Sequence, residues 1–105
     1  MVEMNNLNSP QLIEAVRVWT GWGLSAVPSR SDKRLADHCG ESLAVKLLPL
    51  IKSLEDEFYA SDARLVAANV QEMESLASEQ FRQKQPTVAE EIVKAFAWCY
   101  TFDFK

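Results

Sequence analysis

The stretch from Leu43 to Phe58 constrains the fold more than any other part of the chain, because its large apolar residues recur at steps of three and four. The repeating positions are Leu43, Leu47, Leu50, Ile51, Leu54 and Phe58. That spacing places them on one face of a helix, which we expect to run from about Glu41 to Ala60. Proline removes a backbone hydrogen bond inside a helix, so we expect Pro49 to kink this central helix or to split it in two.

Start and stop residues mark further helices along the chain. Serine at 9 and 31 is typical of a helix start, and glycine at 21 and 40 is typical of a helix end. Thr87 and Glu90 have the spacing of a capping box. The predicted helices cover 10–20, 32–39, 62–82 and 88–100. The aromatic residues of 98–104 then form a frayed helix end and a tail packed on the domain.

These segments predict an all-α fold, a small bundle of four to five helices. We expect residues 1–8 to be flexible and 9–105 to form a single domain, since 105 residues suffice for one modest core. In the helix predicted over 62–82, one broad face is expected to point inward. The residues assigned to that face are Leu65, Val66, Asn69, Val70, Met73, Leu76, Ala77 and Phe81.

Charge and targeting signals limit the classes of partner. The formal net charge is −4, and residues 54–105 carry 5 basic and 10 acidic side chains. Nucleic-acid binding needs clustered basic residues, so we expect no nucleic-acid partner. The N-terminus does not have the pattern of a signal peptide, and no stretch approaches the about 20 apolar residues of a membrane helix. Two cysteines, Cys39 and Cys99, do not make a disulfide framework. We therefore expect a soluble, cytoplasmic protein with no membrane partner.

The residues that carry catalytic chemistry elsewhere do not form a recognisable set here. His38 is the single histidine, and Cys39 follows it. Neighbours on a helix point about 100° apart, so these two side chains do not pair as nucleophile and base. Asp32, Asp37 and His38 lack a further metal ligand at a suitable spacing, and the acidic run lacks the central glycine of a calcium loop. We predict no enzyme activity and no catalytic, cofactor-binding or metal-binding residues.

An acidic run at the end of the central helix is the strongest functional signal. The predicted partner-binding residues are Glu55, Asp56, Glu57, Tyr59, Asp62 and Trp22. The four carboxylates, which we call the acidic corner, would attract a basic partner or would simply keep the surface solvated. Trp22, between two glycines, is either an anchor for a partner or a lid on the core. A nearby basic patch of Arg30, Lys33 and Arg34 is either an anion site or a charged rim.

Together these features favour a small acidic module that binds another protein, with a basic protein as the candidate partner. In size and charge the chain is analogous to immunity proteins and antitoxins that cap basic nuclease toxins, so an immunity-type inhibitor is the finer hypothesis. The alternative is a small-ligand-binding or homodimeric helical domain. An enzyme using His38 and Cys39 is a third possibility with the least support.

Overall fold

The computed structural model describes residues 9–104, and every regular element in that range is helical, which confirms the all-α prediction. Residues 1–8, predicted to be flexible, lie outside the described residues. The helices are α1 (Pro10–Thr20), α2 (Asp32–Cys39), α3 (Glu41–Tyr59), α4 (Ala63–Val66), α5 (Val70–Lys84) and α6 (Glu90–Phe104). Because α3 and the one-turn α4 join through a bend at 60–62, they form a single bent helix, and the bundle then has five.

The start signals of the first two helices are confirmed. The Ser9 hydroxyl accepts a hydrogen bond of 3.1 Å from the backbone N–H of Leu12, and the Ser31 hydroxyl accepts one of 3.0 Å from Arg34. Each bond satisfies a backbone donor that has no partner inside its helix. Gly21 ends α1 in the left-handed conformation, at φ 86°. The sequence therefore placed α1 and α2 correctly.

Helix α3 runs through Pro49 as one element, so of the two outcomes predicted for this residue, a kink or a division of the helix, the division is wrong. Pro49 lies on the exposed side of the helix, while Ile51 and Leu54 are buried on the other side. Burial of this face holds the helix together across the missing hydrogen bond. A bend of the chain lies at 60–62.

The helix predicted over 62–82 is interrupted at 67–69. Ala67 is extended, and the Asn69 side chain accepts a hydrogen bond of 2.8 Å from the N–H of Glu72. The Glu72 carboxylate in turn accepts one of 2.7 Å from the N–H of Ala68. Asparagine competes with the helix for backbone partners, and here its side chain starts a new helix. Helix α5 therefore starts with a reciprocal cap, in which Asn69 accepts from Glu72 and Glu72 accepts from Ala68. Such a cap was predicted for Thr87 and Glu90, at the start of the last helix.

The predicted bounds of the last helix are wrong at both ends. Helix α6 begins at Glu90, two residues later than predicted, and the Glu90 carboxylate binds Arg82 at 2.8 and 2.9 Å. The helix also continues to Phe104, so the expected aromatic tail is helical. The carboxylate that was expected to cap the helix therefore ties α6 to α5.

Aromatic rings from three helices form the centre of the core. The Phe58 ring lies 5.1 Å from that of Phe81, 6.2 Å from Phe96 and 5.7 Å from Tyr100, measured between centroids. All four side chains are buried, and they join α3, α5 and α6. The expectation that Phe58 belongs to the core face of the central helix is confirmed.

The Tyr100 hydroxyl holds the bend between α3 and α4. It donates a hydrogen bond of 3.1 Å to the carbonyl of Ser61 and accepts one of 3.0 Å from the N–H of Arg64. Both backbone groups lose helical partners where the chain bends, and an unpaired buried backbone group is unfavourable. One side-chain oxygen of α6 therefore satisfies both sides of the bend. Among the described residues, no helix has the length and apolar character needed to cross a membrane.

Candidate functional site

Four polar side chains meet where the loop after α1 touches the ends of α3 and α6. Arg30 donates from Nε to Glu55 at 2.6 Å and from Nη2 to both the Tyr59 hydroxyl and Asp103, the latter at 3.1 Å. The Tyr59 hydroxyl donates to the same Asp103 oxygen at 2.7 Å. We call these four residues the Arg30 junction. Its members come from three separate parts of the chain and bind one another.

The protonation states at the Arg30 junction suit a structural contact. Burial alone would lower the pKa of Arg30, but the hydrogen bond to Glu55 and the nearby charges outweigh burial and raise it. Burial, with the hydrogen bond to Asp103, raises the pKa of Tyr59, so the phenol stays neutral and donates. Burial also raises the pKa of the adjacent Cys99 thiol to about 12. At neutral pH this thiol stays protonated and is a poor nucleophile.

The acidic corner is divided between two sides of the bundle. Glu55 belongs to the Arg30 junction, whereas Glu57 accepts a hydrogen bond of 2.7 Å from Gln85 on the side of α5. Asp62 also faces α5 and accepts one of 3.1 Å from the Gln80 amide. Asp56 is exposed. The structure therefore brings Glu55 and Tyr59 together through Arg30 but does not bring the four carboxylates onto one face.

Trp22 is half-buried and packs against the core. Its backbone N–H donates to the Thr20 hydroxyl at 3.3 Å, and the flanking Gly21 and Gly23 both have positive φ. Glycine adopts this conformation without the steric cost that other residues incur. Trp22 thus lies at the edge of the core, with one part covered and one part exposed. This position fits both roles predicted from the sequence, a lid on the core and an anchor for a partner.

The basic patch is largely occupied by internal contacts. Arg34 donates from its guanidinium to the carbonyls of Val18 at 2.7 Å, Trp19 at 3.0 Å and Ser29 at 2.8 Å. These bonds tie α2 to the end of α1 and to the loop that follows it. Together with the pairing of Arg30, they leave Lys33 as the most exposed member of the patch, and Lys33 forms an ion pair with Asp37 at 2.7 Å.

A surface that the sequence did not indicate lies at the turn from α4 to α5. Leu65 is 75% exposed and Val66 is 62% exposed, and Val70 and Phe104 are also in solvent. We call these four residues the elbow surface. Beside it is a groove of about 190 Å³, lined by Arg64, Ala67, Asn69, Val70, Met73 and Phe104.

The interruption at 67–69 explains why the sequence assigned the elbow surface to the core. A continuous helix would place Leu65, Val66 and Val70 near one inward face with Met73, which is buried as predicted. The break rotates α4 relative to α5 and leaves Leu65 and Val66 outside, while Val70 lies at the exposed first position of α5. The signal that could have found them is the asparagine at 69 followed by Glu72, a capping pattern inside an apparent helix.

The charges at the elbow surface are mainly negative. Asp62 and Glu72 are exposed, and neither forms an ion pair within residues 9–104. The nearby cation is Arg64, whose guanidinium lies 4.8 Å from the centre of the Phe104 ring. Arg64 also donates to the Ser61 carbonyl at 2.8 Å, so its position is fixed by internal contacts. The elbow is therefore an apolar surface with two carboxylates at its edge that accept hydrogen bonds but form no ion pair within residues 9–104.

The residues considered for catalysis or metal binding are separated. His38 is exposed and lies 3.1 Å from the Glu14 carboxylate, while Cys39 is partly buried. Cys39 and Cys99 are both free thiols. Within residues 9–104 no group of three or more His, Cys, Asp and Glu side chains is arranged to hold a metal ion.

Comparison with protein-family models, with curated proteins and with solved structures returned no match to this chain.

Proposed function

We propose that the protein is a protein-binding module, and that its elbow surface binds an amphipathic helix of the partner with basic residues beside the apolar ones. The observation that carries this proposal is that Leu65, Val66, Val70 and Phe104 are exposed beside a groove that Val70 and Phe104 line together with the residues flanking Leu65 and Val66. Single exposed apolar residues are normal on a protein surface, whereas a group of them is typical of interaction sites. Helices commonly bind other proteins by laying an apolar face into such a groove.

The charge of the elbow supports a basic partner. Asp62 and Glu72 form no ion pair within residues 9–104, and residues 54–105 carry a formal charge of −5. Lysine or arginine beside the apolar residues of the partner would approach these carboxylates. Complementary charge mainly raises the rate of association and selects the partner, while apolar burial supplies most of the affinity.

Inhibition of a basic toxin or nuclease is the finer form of the proposal and rests on net charge alone. Of the residues first proposed to bind the partner, Glu55 and Tyr59 are engaged with Arg30. Asp62 lies beside the elbow surface and Asp56 is exposed. These last two carboxylates are the members of the acidic corner that remain accessible to a partner.

A direct test uses a labelled peptide of about 18 residues, five helical turns, with leucine at helical spacing and lysine elsewhere. A matched peptide has glutamate in place of lysine. We expect the lysine peptide to bind and the double variant L65D/V66D to weaken binding at least tenfold, which is about 1.4 kcal/mol. Val45 is 69% exposed on α3, so V45D is a matched control that should bind like the parent. Fluorescence anisotropy measures each affinity.

Three further outcomes separate this proposal from its alternatives. Binding of the lysine peptide should weaken as salt rises from about 50 to about 300 mM, and D62N should weaken this dependence. If the glutamate peptide binds as tightly as the lysine peptide, the proposal that the partner is basic is wrong. Concentration-dependent dimers in sedimentation, lost in L65D/V66D, would show instead that a second copy occupies the elbow surface.

A further inference from the structure

A second groove, of about 390 Å³, lies between α5 and α6 and is lined largely by polar side chains. It is separate from the elbow surface in both its residues and its chemistry. The polar residues along it are Glu74, Ser75, Ser78, Glu79, Arg82 and Lys94. Both signs of charge and two hydroxyl groups are therefore available in one depression of the surface.

Ser78 is unusual among the buried polar residues of the structure. The hydroxyl of Thr20 donates to the Val16 carbonyl at 2.8 Å, and that of Ser61 accepts from the N–H of Ala63 at 3.1 Å. Ser78 is only 6% exposed, yet among the described residues its hydroxyl has no hydrogen-bond partner. No fully enclosed side-chain oxygen or nitrogen in that range lacks a partner, so the Ser78 oxygen opens into the groove. An oxygen that opens into a groove can bind water, and a polar group of a ligand can replace that water.

The charges are ordered along the groove. Arg82 binds Glu90, which fixes the register of the antiparallel helices α5 and α6. Lys94 follows Glu90 by one turn and Ser78 precedes Arg82 by one turn, so Lys94 and Ser78 lie at about the same level. Glu74 lies one turn, about 6 Å, further along α5. Lys94 and Ser78 therefore lie at one level of the groove, and Glu74 lies one turn further along it.

Lys94 and Glu74 have no salt bridge within residues 9–104, so both remain available to a ligand. Arg82, in contrast, is occupied by Glu90 at 2.8 Å. A purely anionic ligand would use Lys94 and Ser78 but would approach the Glu74 carboxylate. A purely cationic ligand would face Lys94. A small molecule with both charges satisfies each group.

We propose that this groove binds a small zwitterion of the free amino acid class. The carboxylate of the ligand accepts from the Lys94 ammonium and the Ser78 hydroxyl, and its ammonium group donates to Glu74. Charge-assisted hydrogen bonds of this kind are stronger than those between neutral groups. This site is independent of the proposed partner-binding role, since it uses none of the residues of the elbow surface.

The test screens L-amino acids one at a time, at about 10 mM, against the isotope-labelled full chain by NMR, which detects dissociation constants near 1 mM. We expect at least one amino acid to shift the amide signals of Ser78 and Lys94. For that amino acid, the amine without the carboxylate and the acid without the ammonium should each bind at least tenfold more weakly. Failure of every amino acid, or equal binding of either analogue, would overturn the proposal.

Two variants test the assigned contacts. S78A and K94Q should each weaken binding at least fivefold, whereas L65D, a control on the elbow surface, should leave it unchanged. S78A should change the free energy of unfolding by less than about 0.5 kcal/mol in urea denaturation, because its oxygen opens into the groove and makes no hydrogen bond within residues 9–104. An unchanged stability separates lost binding from lost folding. Unchanged affinity in both S78A and K94Q would show that the ligand lies elsewhere.

Discussion

The Arg30 junction and the elbow surface are adjacent regions whose side chains have opposite environments. At the junction, polar groups from distant parts of the chain bind one another; at the elbow, large apolar groups remain in solvent. The two meet at the end of α6, where Asp103 joins the junction and the next residue, Phe104, belongs to the elbow. Tyr59 touches both, since its hydroxyl binds Asp103 and its ring lies 5.8 Å from that of Phe104.

This difference indicates separate roles for the two regions. A set of polar groups that satisfy one another has little left to offer a partner, and its contribution is to hold the helices in place. Exposed apolar groups contribute little to folding but gain free energy when another surface covers them. We therefore expect substitutions at the junction to change stability and substitutions at the elbow to change binding.

Among substitutions at the junction and the elbow, R30M is expected to have the largest effect on stability. The methionine keeps much of the apolar stem of Arg30 but leaves Glu55, whose side chain is only 18% exposed, without its cation. Breaking such a pair is unfavourable because one charge stays partly buried, and partial exposure reduces the effect. We expect the free energy of unfolding to fall by about 2 kcal/mol, as measured by urea denaturation.

The thiol groups provide a check on where R30M acts. Cys99 is fully buried beside the junction, while Cys39 is partly exposed, so a thiol reagent should react with Cys39 first. R30M should speed the reaction of Cys99 and leave that of Cys39 unchanged. A stability equal to that of the parent chain would mean that the junction contributes nothing to folding.

A smaller effect is expected from N69A, which alters the elbow without touching its apolar side chains. Asn69 caps α5 with a hydrogen bond of 2.8 Å to the N–H of Glu72. Loss of such a cap lowers the free energy of unfolding by about 1 kcal/mol. Q71A, a substitution at an exposed neighbour in the first turn, is the control and should change it by less than about 0.5 kcal/mol. Equal effects of the two variants in thermal or urea unfolding would count against the cap.

The smallest effect on stability is expected from L65S. Leu65 is 75% exposed, so its replacement removes little buried apolar area. We expect a change within about 0.5 kcal/mol in urea unfolding, as for most surface substitutions. F58A provides the contrast, since loss of this buried ring should lower the stability by about 3–5 kcal/mol. A loss of more than about 1 kcal/mol in L65S would place this side chain in the folded core.

Local signals in the sequence predicted much of the fold. The caps at Ser9 and Ser31 depend on residues three positions apart, and the core face of α3 depends on a repeat within one helix. These interactions are visible in the order of the residues. The break at 67–69 was missed because Leu65, Val66 and Val70 fit the period of one continuous helix, whereas an asparagine cap decides the geometry.

The candidate sites were less accessible to prediction because they depend on contacts between distant residues. Glu55 lies 25 positions from Arg30, and Tyr59 lies 44 positions from Asp103. Net charge and composition do not reveal such pairings. The acidic corner is visible in the sequence as a run of carboxylates. Residues two positions apart on a helix point in different directions, so Glu55 and Glu57 reach different neighbours.

The hydrogen bonds of the Tyr100 hydroxyl have a consequence for how recognition could change. Because this one atom joins both sides of the bend to α6, and Ala63 and Arg64 make the other internal contacts of α4, the direction in which α4 faces does not depend on the exposed Leu65 and Val66. Replacing Leu65 or Val66 would then alter what the surface recognises while leaving its orientation intact. The chain thus separates the choice of a partner from the geometry that presents it.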